Sequence, residues 1–295
     1  MRNKEPRNAF HEDKNKIVGS TLYLVATPIG NLSDISERAL KVLSEVDFIA
    51  AEDTRNSGKL LAYFGISKPM VSYFEHNKRE RGEVILARLL AGESCALITD
   101  AGTPAISDPG EDLVVLCAEN NVPVTSIPGC SAVVNALALS ALPTGRFCFE
   151  GFLSTNKSER FARLNEIKCD TRTTIFYEAP HKLQKTLDDL YSVFGNRRIS
   201  LCRELTKLNE EILRTTLAGA IEYYKENAPR GEYVLVIEGA SISEINENVF
   251  WKSMSIDEHL EYYQGEGLKK MDAIKAVAKD RGVAKSEIYK LVNAD

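Results

Sequence analysis

The chain has 295 residues, 44% apolar and 27% charged, enough apolar material for two ordinary cores and too much for wholesale disorder. Lys and Arg number 37 against 42 Asp and Glu, a net charge of −5, which excludes a polycationic nucleic-acid coat and leaves RNA contact to a locally basic face. No apolar stretch approaches the ~18 residues of a membrane span, and residues 1–16 are polar and charged, so neither a signal peptide nor a spanning helix is expected there.

In chain order, residues 21–26 (TLYLVA) form an apolar run of strand length. Residues 34–46 follow with Ile35, Ala39, Val42, Leu43 and Val46 at helical spacing. Asp34 and Glu37 read as a capping box at the start of that helix. Strand 48–51, a helix to about Phe64, strand 70–74, helix 81–91, strand 95–99, helix 111–120 and strand 122–127 continue the alternation. Strands apolar throughout, separated by amphipathic helices, predict a mostly parallel sheet covered on both faces. Residues 131–142 are apolar and small, and read as a buried helix at a domain or subunit junction.

Leu142-Pro143-Thr144-Gly145 then breaks the pattern and marks an interdomain boundary. A second, smaller α/β domain is expected from strand 147–152, helix 159–167, strand 173–177, helix 182–193, strand 199–203, helix 217–227 and strand 233–238. Residues 241–255 look like a linker, and three short helical segments follow, the last of them basic. The expected organisation is a tail at 1–18, α/β domains at 19–145 and 146–240, and a linker with a small helical appendage at 241–295.

The 6 cysteines are scattered, never form C-x-x-C, and read as reduced core residues of a cytoplasmic protein. The 4 histidines are dispersed, with His181 and His259 expected on helix surfaces, and no metal-ligand spacing occurs. No G-x-G-x-x-G follows the first strand, no Walker A sequence is present, and Gly129-Cys130-Ser131 lacks the second glycine of a nucleophile elbow. What remains is a set of loops at strand carboxyl ends: Thr27-Pro28-Ile29-Gly30-Asn31, Glu52-Asp53-Thr54-Arg55, Glu75-His76-Asn77, Asp100 through Gly110, and Pro128 through Ala132. Open α/β sheets bind ligands beyond those ends, so five polar or Gly/Pro-rich loops on one edge describe a site.

VATPIGN, AEDTR, DAGTPAISDPG, PGCSA, FEGFL, IFYEAPHKL, CRELTK and GEYVLVIEG, in unbroken order across residues 19–239, resemble the tetrapyrrole (corrin/porphyrin) methylase superfamily. Specifically, the chain resembles the branch that methylates the ribose 2′-oxygen of a decoding-centre cytidine in small-subunit (16S) ribosomal RNA. Ser154 stands where that branch usually has proline after GFL. The resemblance implies two α/β domains, S-adenosylmethionine in the cleft between them, a homodimer, and the small ribosomal subunit or its RNA as partner, with no DNA and no membrane. It assigns cofactor contact to Pro28, Asp100, Ala101, Gly102, Ala105, Ser131, Ala132, Glu178, Leu205 and Thr206.

The group that assists the ribose hydroxyl stays open among Glu52, Asp53, Arg55, His76, Glu178, Lys207 and Glu210. Cys130 is expected to be a small packing residue under the P-G turn. Candidate phosphate contacts are Lys78, Arg79 and Arg81; Lys157, Arg160, Arg163, Lys168 and Arg172; and Lys269, Lys270, Lys275, Lys279, Arg281, Lys285 and Lys290 in the tail. A tetrapyrrole or small-metabolite methylase on the same scaffold is the competing enzymatic reading. A non-catalytic RNA-binding or ribosome-assembly factor is the competing reading of another class.

Overall fold

The computed structural model describes residues 16–242, 244 and 251–292. They fall into two compact units, one holding the chain up to Ala162 with Arg172–Glu238, the other Arg163–Thr171 with the chain from Gly239 onward.

The first unit contains two five-stranded sheets. In the first, β1 (Leu22–Val25), β2 (Phe48–Ala51), β3 (Met70–Ser72), β4 (Cys95–Ile98) and β5 (Val124–Ile127) run parallel in the order β3-β2-β4-β1-β5. Strands β2 (FIAA) and β4 (CALI) are buried along their whole length, as a central strand between two helical layers must be. Alternate residues feed opposite layers: Phe48 and Leu97 pack with Leu22, Ile85 and Leu89, while Ile49 and Ala96 pack with Val25 and Leu43. The layers are α1 (Glu37–Glu45), α2 (Thr54–Tyr63), α3 (Lys78–Leu90) and α4 (Gly110–Glu119), while α5 (Ala132–Leu139) packs on the second sheet. A polar clasp ties the bases of β2 and β4, where the Asp47 carboxylate accepts from the amide and hydroxyl of Ser94, both at 2.7 Å.

The second sheet is mixed. It holds β6 (Phe147–Phe152), β7 (Thr173–Glu178), β8 (Arg198–Arg203), β9 (Glu211–Thr216) and β10 (Tyr233–Ile237) in the order β6-β7-β10-β8-β9, with only β6 and β7 paired parallel. Helices α7 (Leu183–Phe194) and α8 (Leu217–Glu226) accompany it, and α6 (Lys157–Ile167) follows β6 in the chain, its residues divided between the two units. The break Leu142-Pro143-Thr144-Gly145 lies between α5 and β6.

Several expectations need correction. Asp34 does not cap α1. It ends a short 3-10 turn, Leu32–Asp34, and Ser36 caps the helix by accepting from the Ala39 amide. The apolar segment 131–142 is helical only over Ala132–Leu139 and buries one face, Val133, Ala136 and Leu137, against the second sheet, leaving Val134 and Leu139 exposed. Strand β9 has no counterpart in the sequence reading, because it is an edge strand whose Glu-Ile-Leu-Arg-Thr-Thr is half-buried rather than apolar. Cys169 is exposed rather than a core residue.

The second unit is built on α9 (Ile256–Gly265), α10 (Lys270–Arg281) and α11 (Lys285–Val292), around Leu260, Ile274, Val277 and Ile288. A Ser255–Glu258 capping box opens α9, and Gly282 closes α10 at φ +65°. His259 is fully buried, not on a surface, with its ring stacked on Trp251 at 5.6 Å. Among the described residues, no helix is long and apolar enough to cross a membrane.

Candidate active site

The carboxyl-end loops of the first sheet and the facing loops of the second enclose a cavity of about 430 Å³, within the range of small-molecule sites. Of the residues the resemblance assigns to the cofactor, Asp100, Ala101, Gly102, Ser131, Ala132, Glu178 and Leu205 line it. Pro28 lines a smaller pocket that shares Thr99 and Asp100 with the first. Ala105 and Thr206 stand in loops at the margin and line neither.

Backbone geometry makes this wall. Thr27 and Gly102 exchange amide–carbonyl hydrogen bonds of 2.9 and 3.0 Å, joining the loops after β1 and β4. Gly102 sits at φ +87°, which a side chain would strain. Further along that loop the Asp108 carboxylate accepts from the amides of Ala105, Ile106 and Gly110 at 2.7–3.1 Å. That cage holds Ala105 and Ser107 in left-handed conformations, both at φ +66°.

Of the candidate assisting groups, Glu52 and Lys207 face the cavity together with Glu178. Burial, and then the charge of Asp100, push the Glu52 carboxyl above the ordinary range, although the Asp100 amide donates to it. The Lys207 ammonium pairs with Glu204 at 2.9 Å. The Glu178 carboxylate is engaged by its neighbour's amide at 2.8 Å and by the Thr186 hydroxyl at 2.5 Å.

The other candidates have structural employment outside the cavity. Asp53 caps α2 and pairs with the Arg55 guanidinium at 2.9 Å, which holds its carboxyl down to about 2. Glu210 accepts from the Thr206 amide at 2.7 Å. His76 is exposed, edge-on to Phe74. Cys130 is half-buried beneath the turn, and burial pushes its thiol up.

Three basic candidates have partners within the chain. Arg160 is 4% exposed and forms a 2.7 Å ion pair with Asp189, so it holds α6 to α7 rather than meeting a phosphate. Lys78 pairs with both Glu75 and Asp112 at 2.8 Å. Arg281 donates to the carbonyls of Met254 and Ser255, fastening the three-helix unit. Lys269, Lys279, Lys285 and Lys290 remain on the surface. Sequence reasoning missed Ile106, Phe152, Tyr177 and Glu204, all in the cavity wall. A glycine inside the strand run FEGFL was the available signal for Phe152.

These features define a methylase-type α/β site, with a tight backbone wall, acidic groups and a concave, largely apolar chamber. The chain belongs to the tetrapyrrole (corrin/porphyrin) methylases, whose family model matches residues 21–221. It is 48% identical to ribosomal RNA small subunit methyltransferase I of Halalkalibacterium halodurans, over 93% of this chain and 95% of that one. The protein of the same name from Synechocystis sp. is 45% identical over 92% of this chain and 96% of its own. A cobalt-precorrin-4 methyltransferase of cobalamin biosynthesis shares the fold, with a TM-score of 0.56 and 17% identity over 74% of this chain and 95% of that one.

The methyl donor of such an enzyme is S-adenosylmethionine, and the site suits it. The carboxylates Glu52, Asp100 and Asp108 gather in the wall, where a cationic sulfonium would be favoured. Nearby, the buried Thr206 hydroxyl has no hydrogen-bond partner among the described residues and stands beside Gly30.

Proposed function

We propose that this chain is an S-adenosylmethionine-dependent methyltransferase of small-subunit (16S) ribosomal RNA that methylates the ribose 2′-hydroxyl of a decoding-centre cytidine. It works as a cytoplasmic homodimer, with α/β domains at 19–145 and 146–240. The relatives' names support the RNA. The ribose oxygen is supported by the resemblance of the strand-end loops to the 2′-O-methylating branch. Carbon as the acceptor is disfavoured because Cys202 in the cavity wall and Cys130 beneath the turn are both partly or fully buried, with thiols pushed up by burial, whereas carbon methylation of a pyrimidine commonly requires a thiolate.

S-adenosylmethionine, when bound, supplies an electrophilic methyl group on a sulfonium. Asp100, Ala101, Gly102, Ser131, Ala132 and Leu205 would hold it, with Pro28, Ala105, Glu178 and Thr206 completing its surroundings. Alignment of the hydroxyl with the methyl lowers the barrier by about 7–11 kcal/mol. Glu52 accepts the hydroxyl proton, its raised proton affinity bringing it nearer the operating pH. The surface lysines of the three-helix unit contact phosphates.

Mass mapping of 16S ribosomal RNA from cells with and without the gene tests this reading. One 2′-O-methylcytidine in the decoding centre should disappear with the gene. An unchanged map, or loss of a base-methylated nucleoside instead, would contradict it.

A further inference from the structure

Phe152 is a large ring left 58% exposed in the cavity wall, and β6 is built to put it there. Pairing with β7 steps from Phe149–Ile175 directly to Gly151–Phe176 and then Phe152–Tyr177, so Glu150 is an extra residue, a β-bulge. Ile175 and Tyr177 share one face of β7. The extra residue therefore brings Phe149 and Phe152, three apart, to that same face, where regular alternation would have separated them. Tyr177 meets both rings, with centroids 4.9 and 5.4 Å away. Of the three rings only Phe152 is exposed.

The bulge is also seated against the opposite wall. Gly151 lies at φ +64°, and a β-carbon there would stand 3.3 Å from the Ser107 hydroxyl. The loop carrying Ser107 presents Ile106, 50% exposed, to the same cavity. It is held in that shape by the Asp108 cage. Two exposed apolar side chains, one re-aimed by a bulge and one by a strained loop, thus bound one chamber. Folding stability does not account for either exposure.

We propose that Phe152, opposed by Ile106, is the platform on which the base of the target nucleotide stacks when its ribose enters the cavity. The inference rests on the RNA reading above and names the contact that positions that substrate. A ribose can reach an enclosed methyl donor only if its nucleotide leaves the surrounding stack, and an aromatic face offers the extruded base a replacement partner. Such stacking contributes roughly five- to 150-fold in binding.

The test is steady-state methyl transfer to small ribosomal subunits purified from cells lacking the enzyme, with calorimetry of S-adenosylmethionine alongside. Phe152→Ala should raise KM for the subunit by about tenfold or more and leave the cofactor Kd within about twofold. Phe152→Tyr should restore KM, and Phe152→Leu should not. Unchanged KM in Phe152→Ala, a parallel loss of cofactor affinity, or full rescue by leucine would each overturn the platform while the wild type still methylates. Failure of the wild type itself to methylate the subunits would overturn the RNA reading and the platform with it.

Discussion

Lys207 crosses the α-carbon of Gly30 so closely that a β-carbon at that glycine would lie 2.3 Å from the lysine Cγ. This contact joins the loop after β1 to the loop after β8, and it leaves the Lys207 ammonium against Glu204 in the cavity wall. The clash would fall near the root of the side chain, where a lysine cannot swing clear. Gly30→Ala should therefore displace Lys207, weaken S-adenosylmethionine binding about tenfold, and lower the melting midpoint, because Gly30 also lies at φ +154°, where a side chain strains the backbone. Calorimetry reads the first effect and a melting curve the second. Cofactor affinity equal to the parent would show that this crossing does not shape the site.

Glu52 gives a pH-dependent prediction. Its carboxyl is raised by burial and then by Asp100, so the folded chain holds the proton more tightly than the unfolded one. Its contribution to stability therefore falls as pH rises from the ordinary carboxylate value through the raised one. Glu52→Gln should raise the cofactor-free melting midpoint at neutral pH, by about 2–4 °C for each kcal/mol relieved. The gain should vanish at pH ~4. The same variant should lose about 100-fold or more in kcat. Retained kcat would remove Glu52 as the proton acceptor.

The Asp47–Ser94 clasp behaves in the opposite sense. The Ser94 hydroxyl and amide hold the Asp47 carboxyl below its usual range, so the stabilisation is present above the ordinary carboxylate value and is lost as pH falls through the lowered one. Asp47→Ala should cost about 1–3 kcal/mol at neutral pH, since Ser94 is buried and loses its acceptor. Urea titrations at neutral and acid pH should show the difference shrinking in acid. A cost that does not change with pH would place it elsewhere than in the ionised clasp.

Arg160 separates a buried role from a surface one. Removing the guanidinium leaves Asp189 without its partner, so Arg160→Ala should cost about 3–5 kcal/mol in stability. The salt dependence of RNA binding should not change. By contrast, reversing Lys279, Lys285 and Lys290 together should flatten the salt dependence, by about 0.7 in log–log slope per lost phosphate contact. A flattened slope in Arg160→Ala would return that residue to the RNA surface.

How much was legible from sequence follows from the range of each interaction. The parallel sheet could be read because β2 and β4 are apolar from end to end. The cavity loops could be read because glycine, proline and aspartate mark tight backbone at strand ends. Strand β9 could not, since its charged and half-buried residues carry no alternating signal strong enough to oppose a loop reading. Arg160 looked like one more charge on a basic helix, because its partner Asp189 comes from α7 and only tertiary packing brings them together. His259 is buried by Trp251, Tyr263 and Arg281, which no helical periodicity of α9 reveals. The β6 bulge is visible in sequence only as a glycine between two aromatic residues.

The most direct measurement uses labelled S-adenosylmethionine and small ribosomal subunits rebuilt with a single 2′-deoxycytidine at the target position. Unmodified subunits should accept one methyl group, recovered as 2′-O-methylcytidine. The deoxy subunits should accept none, while most of the phosphate-driven affinity remains. Efficient methylation of the deoxy subunits, or recovery of a base-methylated nucleoside from the unmodified ones, would contradict ribose oxygen as the acceptor.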